Sequence, residues 1–189
     1  YDKSLNLLQS KGETTLLTSE GYFLEGKNLI FDNKKKIIKS NFSAVIKDLE
    51  NNKIFLDKFE YSVEKKFFSS TGSIKILDTK NNSYNFTQFY LDEKKREILG
   101  TDIKAYLNDE NFKINTKNKP RVFANTVKIK NSGSEFTKSI FTLCDYRNND
   151  KCPPWSLQAK EMRHDQKKKT IYYENAVIKV YDIPIFYTP

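Results

Sequence analysis

The residue types able to do chemistry are few and crowd late in the chain. Both cysteines, Cys144 and Cys152, lie in the stretch CDYRNNDKCPPWSLQA (144–159), and the single histidine, His164, follows closely. A thiol nucleophile needs a base, a group to orient that base, and donors for the oxyanion. No orienting motif or glycine-rich loop accompanies this pair. Structural zinc takes four ligands, and the chain offers only these two thiols and one imidazole. His164 stands just before a lysine-rich turn, the place of a strand-end histidine. Glycoside hydrolysis needs two converging carboxylates, whereas Glu161, Asp165 and Glu174 sit at turns or alternate with lysines. No enzyme, metal or cofactor is expected.

The cysteines suit a disulfide if the compartment is oxidising. Joined to each other they close a nine-residue loop, which contributes about 2.6 kcal/mol through lost chain entropy. Joined to a part of the protein outside this chain they would serve a different purpose, and both pairings stay open. Pro153 and Pro154 cannot continue a central ladder, so they end the loop and set up the strand WSLQAKEMRHD. There Trp155, Leu157 and Ala159 alternate with Ser156, Gln158 and Lys160, and Trp155 is placed to plug the end of a sandwich.

The elements that carry these residues are strands. The chain has five alanines against 14 Phe and 11 Tyr, a strand composition rather than a helical one. At 189 residues it suits a single domain spanning 1–189, and its aromatics argue against disorder. No apolar run exceeds three residues, so no helix could cross a bilayer. Tyr1 opens without a basic or apolar leader, so a signal peptide is expected to be absent from this chain.

A repeat runs through the sequence. Four lysine-rich turns, FDNKKKII (31–38), YSVEKKFF (61–68), LDEKKREI (91–98) and HDQKKKTI (164–171), align on Asp32, Ser62, Asp92 and Asp165 in steps of 30, 30 and 73 residues. Between them fall ENNK (50–53), TKNN (79–82) and LNDEN (107–111), whose Asn and Asp suit turns. Lysines at such tips are ordinarily solvated and discourage edge pairing. The segments between turns alternate with period two. Phe42, Ala44 and Ile46 share a face, as do Ile74 with Ile76, Ile103 with Ala105 and Leu107, Phe112 with Ile114, and Val127 with Ile129. The fold class expected is all-β with essentially no helix, an open β-jellyroll of stacked antiparallel hairpins.

A net charge of +9 suits an anionic partner, although 18 asparagines fit equally a lysine- and asparagine-rich composition bias. A nucleic-acid-binding domain would want aromatics exposed beside lysines on one sheet face; nucleic acid is not the expected partner.

The run CPPWSLQAKEMRHDQKKKTIYYENAVIKVYDIPIFYTP (152–189) resembles the periplasmic domain of the LptD (OstA, Imp) family of lipopolysaccharide-assembly proteins. The likeness rests on a cysteine and prolines before Trp155, on LQA and HD, then on TIYYENA and the closing DIPIFYTP. The upstream hairpins are similar in style to the OstA repeat. The resemblance implies a location on the periplasmic side of the Gram-negative outer membrane, with an outer-membrane β-barrel following Pro189. It implies an interior lined by Phe42, Ala44, Ile46, Ile74, Ile76, Ile103, Ala105, Leu107, Phe112, Ile114, Val127 and Ile129 that receives the acyl chains of lipopolysaccharide. It further implies strand addition from a soluble LptA-like jellyroll onto a free N-terminal edge in SEGYFLEGKNLIFD (19–32), at Tyr22, Phe23, Leu24, Leu29 and Ile30. An LptE-like lipoprotein plug would meet the protein through the barrel. In this family the domain's cysteines often bond to the barrel. A soluble or inner-membrane-anchored bridge protein of the same transport system would share the fold and the ligand.

Overall fold

A computed structural model describes residues 6–18, 21–108, 120–143, 154–165, 167–168 and 170–189. They form one antiparallel sheet of sixteen strands, with no helix among the described residues.

The sheet is a meander of arms, each bent at its middle. The first arms are split by the bend into half-strands. They are β1 (Leu7–Gln9) with β2 (Glu13–Leu17), β3 (Phe23–Lys27) with β4 (Ile30–Asp32), β5 (Ile37–Ser40) with β6 (Ala44–Lys47), and β7 (Lys53–Leu56) with β8 (Phe59–Ser62). Thereafter the arms are continuous: β9 (Phe67–Leu77), β10 (Ser83–Asp92), β11 (Glu97–Tyr106), β12 (Arg121–Lys130), β13 (Gly133–Thr142), β14 (Trp155–Asp165) and β15 (Thr170–Val180). The short β16 (Ile183–Thr188) ends the series. β9 joins the halves, pairing with β8 through Phe67–Ser70 and with β7 through Ile74–Leu77.

The bends lie side by side and crease the sheet into two layers. Several use backbone that a regular strand lacks. Gly72 has φ +110° and Asp102, Lys138 and Asn175 have φ of 51°, 47° and 49°, while β10 changes register against β9 between Phe86 and Gln88, as a bulge does. Asp57 braces the crease of β9, its carboxylate accepting the Ser73 N–H at 2.7 Å.

The expected turns form wherever they are described, while 109–111 of the LNDEN turn lie outside the described residues. Residues 33–36 join β4 to β5, 63–66 join β8 to β9, 93–96 join β10 to β11, and 167–168 lie between β14 and β15. Lys36, Lys66 and Arg96 are left-handed at φ 54°, 55° and 51°, and Asn51 and Asn81 at 66° and 61°. The sequence repeat is thus a repeat of backbone conformation.

The N-terminal edge expected at Tyr22, Phe23, Leu24, Leu29 and Ile30 is not an edge. β3 is flanked by β2 and β6, and β4 by β1 and β5, because residues 7–17, too short and weakly patterned to announce a strand, supply one more arm. Leu24 and Leu29 are buried in the core. The unpaired margins of the described sheet are β1 and β2 at one end and β16 at the other.

Candidate functional site

The interior between the layers is built by register. Residues directly opposite in an antiparallel pair point to the same face, so the pairings extend into rows. Near one margin runs Leu24–Ile46–Ile54–Ile76–Tyr84–Ala105–Val122–Phe141–Leu157–Ile178–Phe186. Near the other runs Phe31–Ile38–Tyr61–Phe68–Leu91–Ile98–Ile129–Ser134–His164–Ile171. Closer to the crease lies Ser40–Phe59–Ser70–Phe89–Gly100–Val127–Phe136–Met162–Tyr173. Across the crease Leu56 meets Ile74, Ile103 meets Ala124, and Ser139, Ala159 and Ala176 face one another in turn.

Of the residues expected inside, Ala44, Ile74, Ile103, Ala105 and Val127 are buried, and Ile46, Ile76 and Ile129 pack half-buried against the core. Leu107 follows β11 in phase, half-buried, and its N–H donates to the Pro120 carbonyl at 2.9 Å. Phe42, expected inside, is not. It is 49% exposed, because the arm breaks at the crease between Ser40 and Ala44 and turns that side chain out of the alternation. Phe112, Ile114, Cys144 and Cys152 lie outside the described residues.

Simple alternation missed the aromatic centre. Phe59 stacks on Phe68 with centroids 5.9 Å apart, Phe68 meets Phe89 edge-on at 6.2 Å, and Phe86 meets Phe89 edge-on at 5.6 Å. The signal was in the 30-residue repeat, which superposes Leu56 on Phe86, Phe59 on Phe89, Ile38 on Phe68 and Ile98, and Ser40 on Ser70 and Gly100. Ser40 and Ser70 bury their hydroxyls by donating to the carbonyls of Lys27 and Lys58, at 2.8 and 2.7 Å. Trp155 packs edge-to-face on Phe141 at 6.1 Å, and its carbonyl accepts the fully buried Thr142 hydroxyl at 2.7 Å.

Burial of the rows falls toward the ends of the sheet. Ile74 and Val127, in the middle, are 1% exposed, whereas Ile171 and Phe186, the last members of the two marginal rows, are 48% and 58% exposed. Leu8, opposite Phe31 at the other end, is 53% exposed. The interior is packed at its centre and uncovered at its ends.

The two margins away from the crease are the two sets of turns, and they differ in charge. On one margin the tips carry Lys34, Lys35 and Lys36, then Lys65 and Lys66, then Lys94, Lys95 and Arg96, then Lys167 and Lys168, with Glu64 and Glu93 among them. Their backbones are bonded from repeat to repeat. The Val63 N–H donates to the Lys36 carbonyl at 2.9 Å, the Glu93 N–H to the Lys66 carbonyl at 3.0 Å, and the Lys94 ammonium to the Glu64 carbonyl at 3.1 Å. Asp92 and Asp165 hold their turns by accepting backbone N–H groups. Those from Lys95 and Lys168 keep the two carboxyls below the usual range, as hydrogen bonds to a charged form do.

On the opposite margin stand Asp48, Glu50, Asp78 and Asp182, with Lys80 the one cation in the described 48–52, 78–82 and 181–182 turns. Asn82 accepts the Asn108 N–H at 2.7 Å and donates to Asp78 at 2.7 Å, and Asn52 likewise accepts the Thr79 N–H at 3.2 Å. The Tyr84 hydroxyl donates to Asp78 at 3.2 Å. Burial, together with the charge of Asp78, pushes the Tyr84 phenol up to about 12. Burial also opposes ionisation of Asp78, but hydrogen bonds from Asn82, Lys80 and Tyr84 outweigh it and lower the carboxyl.

These features define a class: an unclosed, creased β-sheet of jellyroll type with an apolar interior uncovered at both ends and, among the described turns, cations gathered on one margin. In sequence the chain is 27% identical over 107 residues to the LPS-assembly protein LptD of Pasteurella multocida (strain Pm70). The match covers 53% of this chain and 13% of that protein, so the chain is LptD-like over about half its length. No family model matches it.

Proposed function

We propose that this chain works in the transport and assembly of lipopolysaccharide at the outer membrane, as a periplasmic module that shelters the acyl chains of lipid A between its two layers and hands them toward a β-barrel. The observation that carries this reading is the register: an apolar row runs from Leu24 across the sheet to Phe186 and emerges uncovered at β16. Shielding acyl chains contributes about 0.8 kcal/mol per buried CH₂, and such transport needs no reacting group. Side chains fill the middle of the interior, so lipid parts the layers as it passes from the β1 end, where Leu8 is exposed, to the β16 end, where Ile171 and Phe186 stay exposed. The unpaired β1 and β2 are the margin for strand addition by a soluble LptA-like jellyroll. Contact with an LptE-like plug would come through the barrel.

Photocrosslinking tests this reading. Phe186 and Tyr187 are neighbours of almost equal exposure, 58% and 56%, on opposite faces of β16. Benzoylphenylalanine at Phe186 or Ile171 is expected to capture lipopolysaccharide in cells, and at Tyr187 or Tyr172 it is not. Equal capture on both faces would sink the proposal.

A further inference from the structure

The lysine-rich tips look independent in sequence, but the fold stacks them. Successive turns on one margin are two strands apart, roughly 10 Å, which is about the Debye length at 0.1 M salt. Their charges therefore act together, and the backbone bonds from Val63 to Lys36 and from Glu93 to Lys66 fix the spacing. The side chains of Lys35, Lys65 and Lys95 are exposed. Asp32 and Asp92 accept turn N–H groups, and Asp92 also pairs with the Lys95 ammonium at 3.4 Å, a surface contact of little strength. The described 48–52, 78–82 and 181–182 turns of the opposite margin are acidic on balance, so among the described turns the cations gather on one side.

We propose that this ridge of stacked turns binds the phosphate groups of a lipid headgroup while the acyl chains lie between the layers, so that the ligand is held in one orientation. The inference rests on the lipid-sheltering role above and adds to it the recognition of phosphate by the lysine margin. The inner row beside the ridge, Phe68, Leu91 and Ile98, places apolar surface next to the cations, as an anionic amphiphile requires. The anion is assigned to the lipid being carried rather than to a bilayer surface. The turns border the interior, and the apolar side chains behind them point inward.

The test compares the wild-type chain with a Lys35→Glu, Lys65→Glu, Lys95→Glu variant, checked for an unchanged far-UV spectrum and unfolding midpoint. A second variant reverses Lys53 and Lys75, away from the ridge. Binding is measured in one detergent for diphosphorylated lipid A, for dephosphorylated lipid A and for the deacylated diphosphorylated disaccharide, at 50 and 500 mM NaCl. Wild type is expected to prefer the diphosphorylated lipid at least tenfold at low salt, to lose most of that preference at high salt, and to bind the deacylated headgroup weakly but salt-dependently. The ridge variant should lose the preference and the headgroup binding while keeping its affinity for dephosphorylated lipid; the control variant should keep all three.

A wild type indifferent to phosphate, or a ridge variant with its preference intact, overturns the proposal. So does ridge-dependent binding seen only with vesicles of 30% phosphatidylglycerol. If wild type binds the headgroup through the ridge but neither acylated lipid, the phosphate site stands and the acyl-sheltering reading falls.

Discussion

The ring of Phe86 on β10 lies over Gly100 on β11: a Cβ built at Gly100 would come within 2.6 Å of Phe86 Cδ1 and 3.3 Å of Val127 Cγ1. Two earlier repeats place Ser40 and Ser70 at this position, so the third gives up a side chain to admit a ring at the crease. Gly100→Ala should cost about 1–3 kcal/mol, as overpacking does, and Phe86→Leu in the same chain should recover part of the loss. Urea unfolding of the single and double variants measures the coupling.

Gly133 makes a closer approach still. It has φ +151°, and a Cβ there would meet the His164 carbonyl oxygen on the neighbouring strand. Backbone cannot swing aside as a ring can. Gly133→Ala should therefore lose about 3 kcal/mol from strain and clash, and should weaken amide protection at the paired ends of β13 and β14. A midpoint equal to wild type would show that this end of the hairpin is not formed as described.

Tyr84 and Asp78 set an alkaline limit. The folded state raises the phenol from 10.0 to about 12, so it favours the neutral form. That contribution is complete below pH 10 and drains away between 10 and about 12. Stability measured by denaturant titration should fall across that window, and Tyr84→Phe should flatten the fall. An unchanged pH slope in the variant would mean that the phenol is not held by its surroundings.

Asn82 ties one repeat to the next. Its side chain accepts the Asn108 N–H and donates to Asp78, and it is only 9% exposed. Asn82→Ala leaves both partners without it and should cost about 1–3 kcal/mol. Asn52→Ala, one repeat earlier, should cost no more, since its bond to Thr79 is longer at 3.2 Å. Thermal melts of the two variants give the comparison.

How much of this was legible in the chain depends on the range of the interaction involved. Period-two segments such as Ile74–Ile76 and Ile103–Ala105 announced strands and their inward faces, because side-chain alternation is a property of one strand alone. The Asp- and Asn-bearing turns announced their places for the same local reason. Phe42 misled because a crease interrupts alternation without any change in composition. The edge assigned to Tyr22–Ile30 misled because Leu7–Gln9 and Glu13–Leu17 gain their strand character from pairing, which no short segment displays by itself.

The sequence by itself determined an all-β chain of repeated hairpins with apolar and polar faces, since those follow from residue type and spacing along one strand. Only the tertiary structure decided that the hairpins crease into two layers, that Phe59, Phe68, Phe86 and Phe89 share one centre, and that scattered lysines stand along one margin, away from the acidic turns described on the other. Each of these depends on which residues are brought opposite one another across strands, and that is set by register and bend rather than by neighbours in the chain.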